Sequence, residues 1–251
     1  AYDAGIDTIV TCDNGIAAVK EIAYAKSLGM TVIITDHHEL QEEIPPADVV
    51  VNPHQKDCPY PYKNLCGAGV AWKLVSALWE QLGVPEQELY EDLLLFAGFA
   101  TVGDVMDLTG ENRILVKEAL KLLKTTTHPG ISALIEVNEI SRETISAFHI
   151  GFVLGPCINA SGRLDTAKRA LELLKTTDYE KAFIRAAELK ALNDERKSMT
   201  DDGVQQALDQ IENSDMKRDR VLVIYLPDCH ESLAGIIAGR IRERYYRPVF
   251  V

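Results

Sequence analysis

Carboxylate and imidazole side chains stand directly after apolar runs in the first part of the sequence. The members of this set are Asp13, Asp36, His37, His38 and Asp104. Hard oxygen ligands combined with borderline nitrogen ligands suit Mn²⁺ or Mg²⁺ better than a structural zinc ion. A lone aspartate at the end of a strand usually caps a turn. Two adjacent histidines with an aspartate before them favour the metal site over that simpler interpretation.

One β-α-β unit is predicted to position these side chains. Residues 8–11 and 30–35 are β-branched and apolar and predict two strands, and apolar spacing over 16–28 predicts a helix between them. Parallel strands joined in this way end at the same edge of the sheet. We therefore expect Asp13 and Asp36 to meet at the edge where open α/β sheets bind ligands.

Helices dominate the rest of the sequence. The predicted elements are strands over 48–51 and 220–225, helices over 67–82, 88–102, 111–124, 178–212 and 232–245, and a linker over 125–130. A continuous helix over 178–212 would span ~50 Å at about 1.5 Å per residue. That length exceeds one compact core, so we expect this helix to connect two bodies.

The predicted fold class is α/β, with a parallel-sheet domain, a long connecting helix and the start of a second α/β domain. We place the first domain at residues 1–165, the connecting helices at 166–215 and the second domain at 216–251. Hydrophobic residues make up 47% of the chain and charged residues 25%, which excludes a disordered, collagen-like or coiled-coil protein.

Three features of the sequence predict the cellular compartment. No run approaches the ~18 apolar residues of a membrane span, and residues 1–7 lack the basic region of a signal peptide. The five cysteines are scattered and form no CxxC pair, which argues against structural zinc and for reduced thiols. We expect a soluble cytoplasmic protein without a membrane partner.

Charge is distributed unevenly along the chain, whose formal net charge is −12. Residues 1–62 contain 10 acidic and 3 basic residues, which disfavours nucleic acid there unless cations intervene. Residues 163–197 contain 9 basic and 7 acidic residues, and residues 217–247 contain 7 and 4. These two later segments either hold a phosphate backbone or are mixed solvated faces.

The basic segments include or adjoin two further candidate groups. One consists of Asn159, Ser161, Gly162 and Arg163, and the other of His230 and Arg240. A turn of small residues beside a guanidinium exposes the donors that hold an oxyanion, although ordinary loops share this composition. The second group is a loop that enters a helix, where His230 either contacts a ligand or only caps the surface.

Five strings together carry a resemblance to a known family. They are TCDNGI, ITDHHE, GDVMDL, GPCINASGRLD and HESLAGIIAGRI. In this order and spacing they resemble the DHH phosphoesterase superfamily, specifically its RecJ type of single-strand-specific DNA exonuclease. The segment NPHQKDCPYPYKNLCGAGVAWKL also resembles the RecJ type and not the smaller members that degrade oligonucleotides or cyclic dinucleotides.

The resemblance implies a role for each residue of the first group. Asp13 matches an aspartate that bridges two metal ions, Mn²⁺ or Mg²⁺, in the complete enzyme. His37 and Asp104 match ligands of one of these ions. Asp36 matches the aspartate that supports the DHH triplet, and His38 matches the histidine that faces the scissile phosphate.

The resemblance also assigns the two later groups to the substrate. Arg163, with Asn159, Ser161 and Gly162, belongs to a motif beside the substrate. His230 and Arg240 match a motif at the start of the domain that closes over DNA. The family's first motif, Asp-x-Asp, and its C-terminal glycine-rich element are not in this sequence, so we expect an internal piece of a larger protein.

The implied activity is metal-dependent 5′ to 3′ hydrolysis of single-stranded DNA in repair and recombination. The implied partners are single-stranded DNA, a single-strand-binding protein and a helicase. Three alternatives stay open. One is another enzyme of the superfamily, acting on oligoribonucleotides, cyclic dinucleotides or pyrophosphate; the others are a catalytically silent nucleic-acid-binding fragment and a generic α/β domain.

Overall fold

The computed structural model describes residues 1–83 and 90–251. The chain folds into two compact units. The first unit comprises residues 1–126 and 141–151, and the second comprises residues 127–140 and 152–251. None of the helices in the described ranges combines the length and the apolarity that a membrane span requires.

In the described residues, strands lie near the N-terminus and near the C-terminus, and helices make up most of the chain between them. Up to residue 126 the elements are β1 (Thr8–Cys12), α1 (Val19–Ser27), β2 (Thr31–Thr35), β3 (Val49–Val51), α2 (Gly67–Leu82), α3 (Tyr90–Gly103) and α4 (Gly110–Thr125). After it come α5 (Pro129–Val137), α6 (Ala147–His149), α7 (Gly155–Leu164), α8 (Lys168–Lys175), α9 (Tyr179–Glu212), β4 (Leu222–Val223), α10 (Glu231–Tyr245) and β5 (Val249–Phe250). A π-helical turn, Ile150–Leu154, lies between α6 and α7.

The first unit is built on a parallel sheet in the order β1-β2-β3. Thr8 pairs with Thr31, and Cys12 pairs with Thr35, so β1 and β2 end level with each other. Val51 lies beside Thr35 at the end of β3. The buried side chains of α1 pack against β2 because the apolar spacing of the helix places them on one face. The predicted α/β class and β-α-β unit are confirmed.

The predicted limits of the strands and helices in this unit agree with the structure to within one residue, except at two helices. Helix α1 begins at Val19 and not at Ile16, because the Ile16 amide donates to the Asp36 carboxylate at 2.9 Å. The Ala18 amide meanwhile closes a turn onto the Gly15 carbonyl. The helix predicted over 88–102 is α3, and residues 88 and 89 lie outside the described residues.

The second unit is organised around α9, a helix of 34 residues. This helix packs against α5, α7, α8 and α10. Its last turns bury Ala207 and Ile211 in a cluster with Leu233 and Ile237 of α10. The helix predicted as a connector is therefore also the scaffold of this unit.

The predicted domain limits at residues 165 and 215 do not coincide with the boundaries of the two units. The reason is the packing of α9, which holds elements on both sides of these limits in one unit. The division into three segments stays a prediction. The strand predicted over 220–225 is confined to β4, which pairs in parallel with β5.

Candidate functional site

Three of the predicted ligands converge in the first unit. The His37 Nε2 atom lies 3.0 Å from Asp13 Oδ1 and 3.4 Å from Asp104 Oδ2. Asp13 follows β1, His37 follows β2 and Asp104 follows α3, so three separate elements supply them. Asp13, His37 and His38 also offer ligand atoms that all lie within 4.8 Å of one another. The predicted meeting of these side chains is therefore present in the structure.

Asp13 is held by its backbone and by a glycine contact. Its φ of 59° is left-handed, a conformation in which aspartate is tolerated better than most residues. Its amide donates to the Thr35 carbonyl at 3.0 Å. A Cβ on Gly67 would lie 2.3 Å from Asp13 Oδ1, so only glycine fits there. Gly67 is the first residue of α2, and the positive end of that helix dipole favours the carboxylate.

Asp36 is the buried centre of the DHH triplet. Its Oδ1 atom accepts from the His37 amide at 2.7 Å, the His38 amide at 3.2 Å and His38 Nδ1 at 2.7 Å. Its Oδ2 atom accepts from the Ile16 amide at 2.9 Å. Burial raises the pKa of Asp36, but these hydrogen bonds together outweigh it and leave the pKa below its ordinary value. Asp36 is therefore a charged anchor for the histidines.

His38 presents its ring to solvent while Asp36 holds one ring nitrogen. The side chain is 60% exposed, and the hydrogen bond that His38 donates to Asp36 raises the pKa of His38. The buried Asn52 side chain donates to the His38 carbonyl at 2.9 Å and accepts from the His54 amide at 2.8 Å. Sequence reasoning missed Asn52 as a positioning residue. Its place directly after β3, at the same sheet edge, was the available signal.

The chemistry of the donor set fits a divalent cation. Partial burial and then the Asp104 charge raise the pKa of Asp13, although His37 acts in the opposite direction. In the described ranges neither Asp13 nor Asp104 forms an ion pair with a lysine or an arginine. Two carboxylates and an imidazole at hydrogen-bonding distances thus lack a compensating cation. Oxygen and nitrogen donors of this kind match Mn²⁺ and Mg²⁺.

The turn of small residues predicted over 159–162 is wrong, because residues 155–164 form α7. The small residues Ala160 and Ser161 are buried, and the Ser161 hydroxyl donates to the Ile158 carbonyl at 3.0 Å. Backbone amides inside a helix are used by the helix itself and do not cradle an oxyanion. Ser161 therefore does not offer its hydroxyl to a ligand here, whereas Asn159 and Gly162 are exposed.

The two later candidate groups meet within the second unit. Arg163 Nη1 donates to the Ser232 carbonyl at 2.9 Å, which links α7 to the first turn of α10. His230 is the N-cap of α10, where its Nδ1 atom contacts the Ser232 amide at 3.3 Å and the Ser232 hydroxyl at 2.8 Å. Arg240 forms an ion pair with Asp201 of α9. The capping role considered for His230 is thus observed.

Residues 3–98 match the model of the DHH family, N-terminal domain. These residues form a DHH-family domain. The whole chain is 38% identical to the single-stranded-DNA-specific exonuclease RecJ of Escherichia coli K12 over 263 residues, covering 99% of the chain and 45% of that protein. It is 37% identical to RecJ of Bacillus subtilis 168, covering 99% of the chain and 31% of that protein.

Two solved structures resemble this chain over 97% of its length. The crystal structure of RecJ in complex with Mn²⁺ from Thermus thermophilus has a TM-score of 0.85 and 33% identity, with 36% of that protein covered. The crystal structure of exonuclease RecJ bound to manganese has a TM-score of 0.84 and 34% identity, with 60% covered. The resemblance to the RecJ type is confirmed. The chain spans less than half the length of the curated relatives described above.

Proposed function

We propose that this chain carries the metal-binding and hydrolytic part of a single-stranded-DNA-specific exonuclease. The observation that carries the proposal is the convergence of Asp13, His37 and Asp104 from three separate elements. The names of the relatives support the substrate, and the manganese complexes of the structural neighbours support the metal.

Asp13, His37 and Asp104 would hold the divalent ions, of which the complete enzyme is proposed to use two. A bound Mn²⁺ or Mg²⁺ ion lowers the pKa of water and neutralises charge on a transferring phosphoryl group. The Nδ1 atom of His38 is hydrogen-bonded to Asp36, so Nε2 is the ring nitrogen that can contact the substrate. From there His38 would donate a hydrogen bond to an oxygen of the scissile phosphate.

The second unit is proposed to contact the rest of the DNA strand. Arg163, Asn159 and Gly162 are exposed on α7, where the guanidinium can bind a backbone phosphate. His230 and Arg240 lie at the start and in the middle of α10 and would line the same strand. Hydrolysis from 5′ to 3′, a single-strand-binding protein and a helicase as partners, and a cytoplasmic location complete the proposal by family resemblance.

Replacement of one carboxylate tests the metal site and the activity together. We expect Asp13→Asn to weaken Mn²⁺ binding at least tenfold, measured by titration calorimetry, because it removes a charged oxygen donor. Release of nucleotides from single-stranded DNA should fall by at least a hundredfold in the same variant. Asp7→Asn, at the opposite end of β1, is the matched control and should change neither quantity.

Two results would contradict the proposal. Equal Mn²⁺ affinity in the wild-type chain and in Asp13→Asn would remove the metal site from this sheet edge. Hydrolysis of dinucleotides or cyclic dinucleotides, with long single strands left intact, would instead assign the chain to another branch of the superfamily.

A further inference from the structure

Three arginines lie on three helices of the second unit, α7, α9 and α10, that pack against one another. Arg163 of α7 donates to the Ser232 carbonyl of α10 at 2.9 Å, and Arg240 of α10 forms an ion pair with Asp201 of α9. The third is Arg196 of α9, five residues before Asp201. These contacts tie α7, α9 and α10 together around the guanidinium groups.

The positive charge in this cluster exceeds the negative charge that balances it. Arg240 has Asp201 as its partner, but in the part of the chain that the structure describes neither Arg163 nor Arg196 forms an ion pair with a carboxylate. Of the three guanidinium groups, that of Arg240 is therefore the one paired with a carboxylate in the described residues. Such an excess stands out in a chain whose formal net charge is −12.

Arg196 is fixed in place by a buried amide. Its Nε atom donates to Asn193 Oδ1 at 3.1 Å, and Asn193 is only 1% exposed. The Asn193 Nδ2 atom contacts Cys157 Sγ of α7 at 3.6 Å. Since Nε is used, the two terminal nitrogens of Arg196 remain as donors in a fixed orientation.

The surroundings of Arg196 disfavour its charge. Burial, followed by the charges of Arg163 and Arg240, lowers the pKa of Arg196, yet a guanidinium stays protonated in a protein. A half-buried cation that is repelled by two others is stabilised when an anion binds among them.

We propose that Arg196 is a substrate-binding residue, which together with Arg163 binds one backbone phosphate of a single-stranded DNA ligand. This inference rests on the proposed function and extends it to α9, which the sequence motifs do not assign to the substrate. A phosphodiester supplies two non-bridging oxygens, which match the paired donors of a guanidinium. Arg240, already neutralised by Asp201, is the least available of the three arginines.

The salt dependence of DNA binding tests this role in the full 251-residue chain. The probe is a fluorescein-labelled oligothymidylate with hydrolysis-resistant phosphorothioate linkages, and its affinity is measured by fluorescence anisotropy over a series of NaCl concentrations with Mn²⁺ present. We expect Arg196→Gln to weaken binding by about tenfold or more. The slope of log affinity against log salt should become shallower by about 0.7, the value for one lost phosphate contact on a single strand.

Two further variants separate a phosphate contact from a structural role. Arg185→Gln is the matched control, because Arg185 lies on the same helix and is paired with Glu172 at 3.1 Å; its affinity and slope should stay those of the wild type. Arg196→Lys keeps the charge and loses the planar fork. We expect it to retain the wild-type slope and to bind at least threefold more weakly.

Each outcome supports or overturns the inference. If Arg196→Gln has the affinity and slope of the wild type and a lowered melting temperature, Arg196 has only a structural role between α7 and α9. The proposed function would then stand. If Arg196→Gln does not fold, Arg196→Lys decides, and an affinity equal to that of the wild type overturns the inference. A wild-type chain that binds no single-stranded DNA overturns the inference and the proposed function together.

Discussion

Asp36 accepts four hydrogen bonds although it is buried, and this determines which carboxylates are left for a metal ion. Its two oxygens are occupied by amides and by His38, so it acts as an anchor. In the part of the chain that the structure describes, the side chain that pairs with both Asp13 and Asp104 is His37. Three aspartates of the same type thus have two different roles, set by the hydrogen bonds that their surroundings supply.

Gly67 is predicted to be required for the position of Asp13. An added Cβ would lie 2.3 Å from Asp13 Cβ and Oδ1, so Gly67→Ala must displace the carboxylate or the start of α2. We expect at least tenfold weaker Mn²⁺ binding, measured by titration calorimetry. Gly69→Ala is the control two residues further along α2, where the nearest atom to the new Cβ is 3.5 Å away. Equal losses in both variants would show that the effect is not local to Asp13.

The types and positions of the candidate ligands were predictable from the sequence. The residues that hold these ligands in place were not. Aspartates and histidines after β-branched runs mark a sheet edge, because parallel strands end together there. Gly67 acts through a contact between residues 54 positions apart, which no local pattern encodes. The helix at 155–164 was missed because a run of small residues is also typical of turns. Here Ala160 and Ser161 are small because they are buried in a helix interface, whereas Asn159 and Gly162 are exposed.

Close packing between helices positions the site at the scale of elements. Asp104 follows directly on α3, so the seating of α3 fixes one carboxylate of the candidate metal site. At Gly98 an added Cβ would lie 2.3 Å from Ala119 Cβ and 2.6 Å from the Leu115 carbonyl oxygen of α4. The backbones of α3 and α4 are therefore in near contact at this point, with no flexible side chain to yield.

Gly98→Ala is expected to destabilise the chain despite the better helix propensity of alanine. Overpacking costs about 1 to 3 kcal/mol, and we expect the upper part of this range because a backbone atom cannot move aside easily. The better helix propensity of alanine offsets about 1 kcal/mol of this cost. Gly235→Ala in α10, with nothing within 4 Å of the new Cβ, should stabilise by about 0.5 to 1 kcal/mol. Urea unfolding measures the change in the free energy of unfolding for each variant. The prediction requires a decrease for Gly98→Ala and an increase for Gly235→Ala.

A small ionic network fastens the loop after β3 to two helices. The Tyr60 hydroxyl donates to Glu111 of α4 at 2.8 Å, and Lys73 of α2 lies 2.8 Å from the same carboxylate. Burial raises the pKa of Glu111, but the contacts from Lys73 and Tyr60 outweigh it and hold the pKa below its ordinary value. A carboxylate with a depressed pKa in the folded state stabilises the fold above its unfolded pKa. That stabilisation is lost as pH falls through the folded pKa.

Glu111→Gln should therefore have an effect that depends on pH. At pH 7 we expect the variant to be less stable by about 1 kcal/mol, because a charged hydrogen-bond partner is lost. The difference should shrink as the pH falls below the ordinary carboxylate value of about 4.3. Glu118→Gln, whose partner Lys121 is exposed on the same helix, is the control and should stay near zero. Unfolding by urea at several pH values gives the comparison, and a pH-independent difference would contradict the linkage.

At the scale of the molecule, the sequence predicted the α/β class and the long helix but not the unit boundaries. The boundaries depend on which helices α9 holds, and this is a property of tertiary packing that periodicity along the chain does not carry. The uneven charge was visible from the start. Residues 1–62 have a balance of −7 from 10 acidic and 3 basic residues, and this stretch contains Asp13 and the DHH triplet.

The acidity of the first unit predicts that DNA binding requires a divalent cation. Carboxylates at the proposed hydrolytic site repel a phosphate backbone unless a metal ion reverses the local sign. At constant ionic strength, we expect EDTA to weaken binding of single-stranded DNA at least tenfold relative to Mn²⁺. In Asp13→Asn the difference between the two conditions should disappear, while the weaker binding through the arginines of the second unit persists. Anisotropy with the same hydrolysis-resistant oligothymidylate measures all four combinations. Equal wild-type affinity in EDTA and in Mn²⁺ would show that the metal site does not contact the DNA.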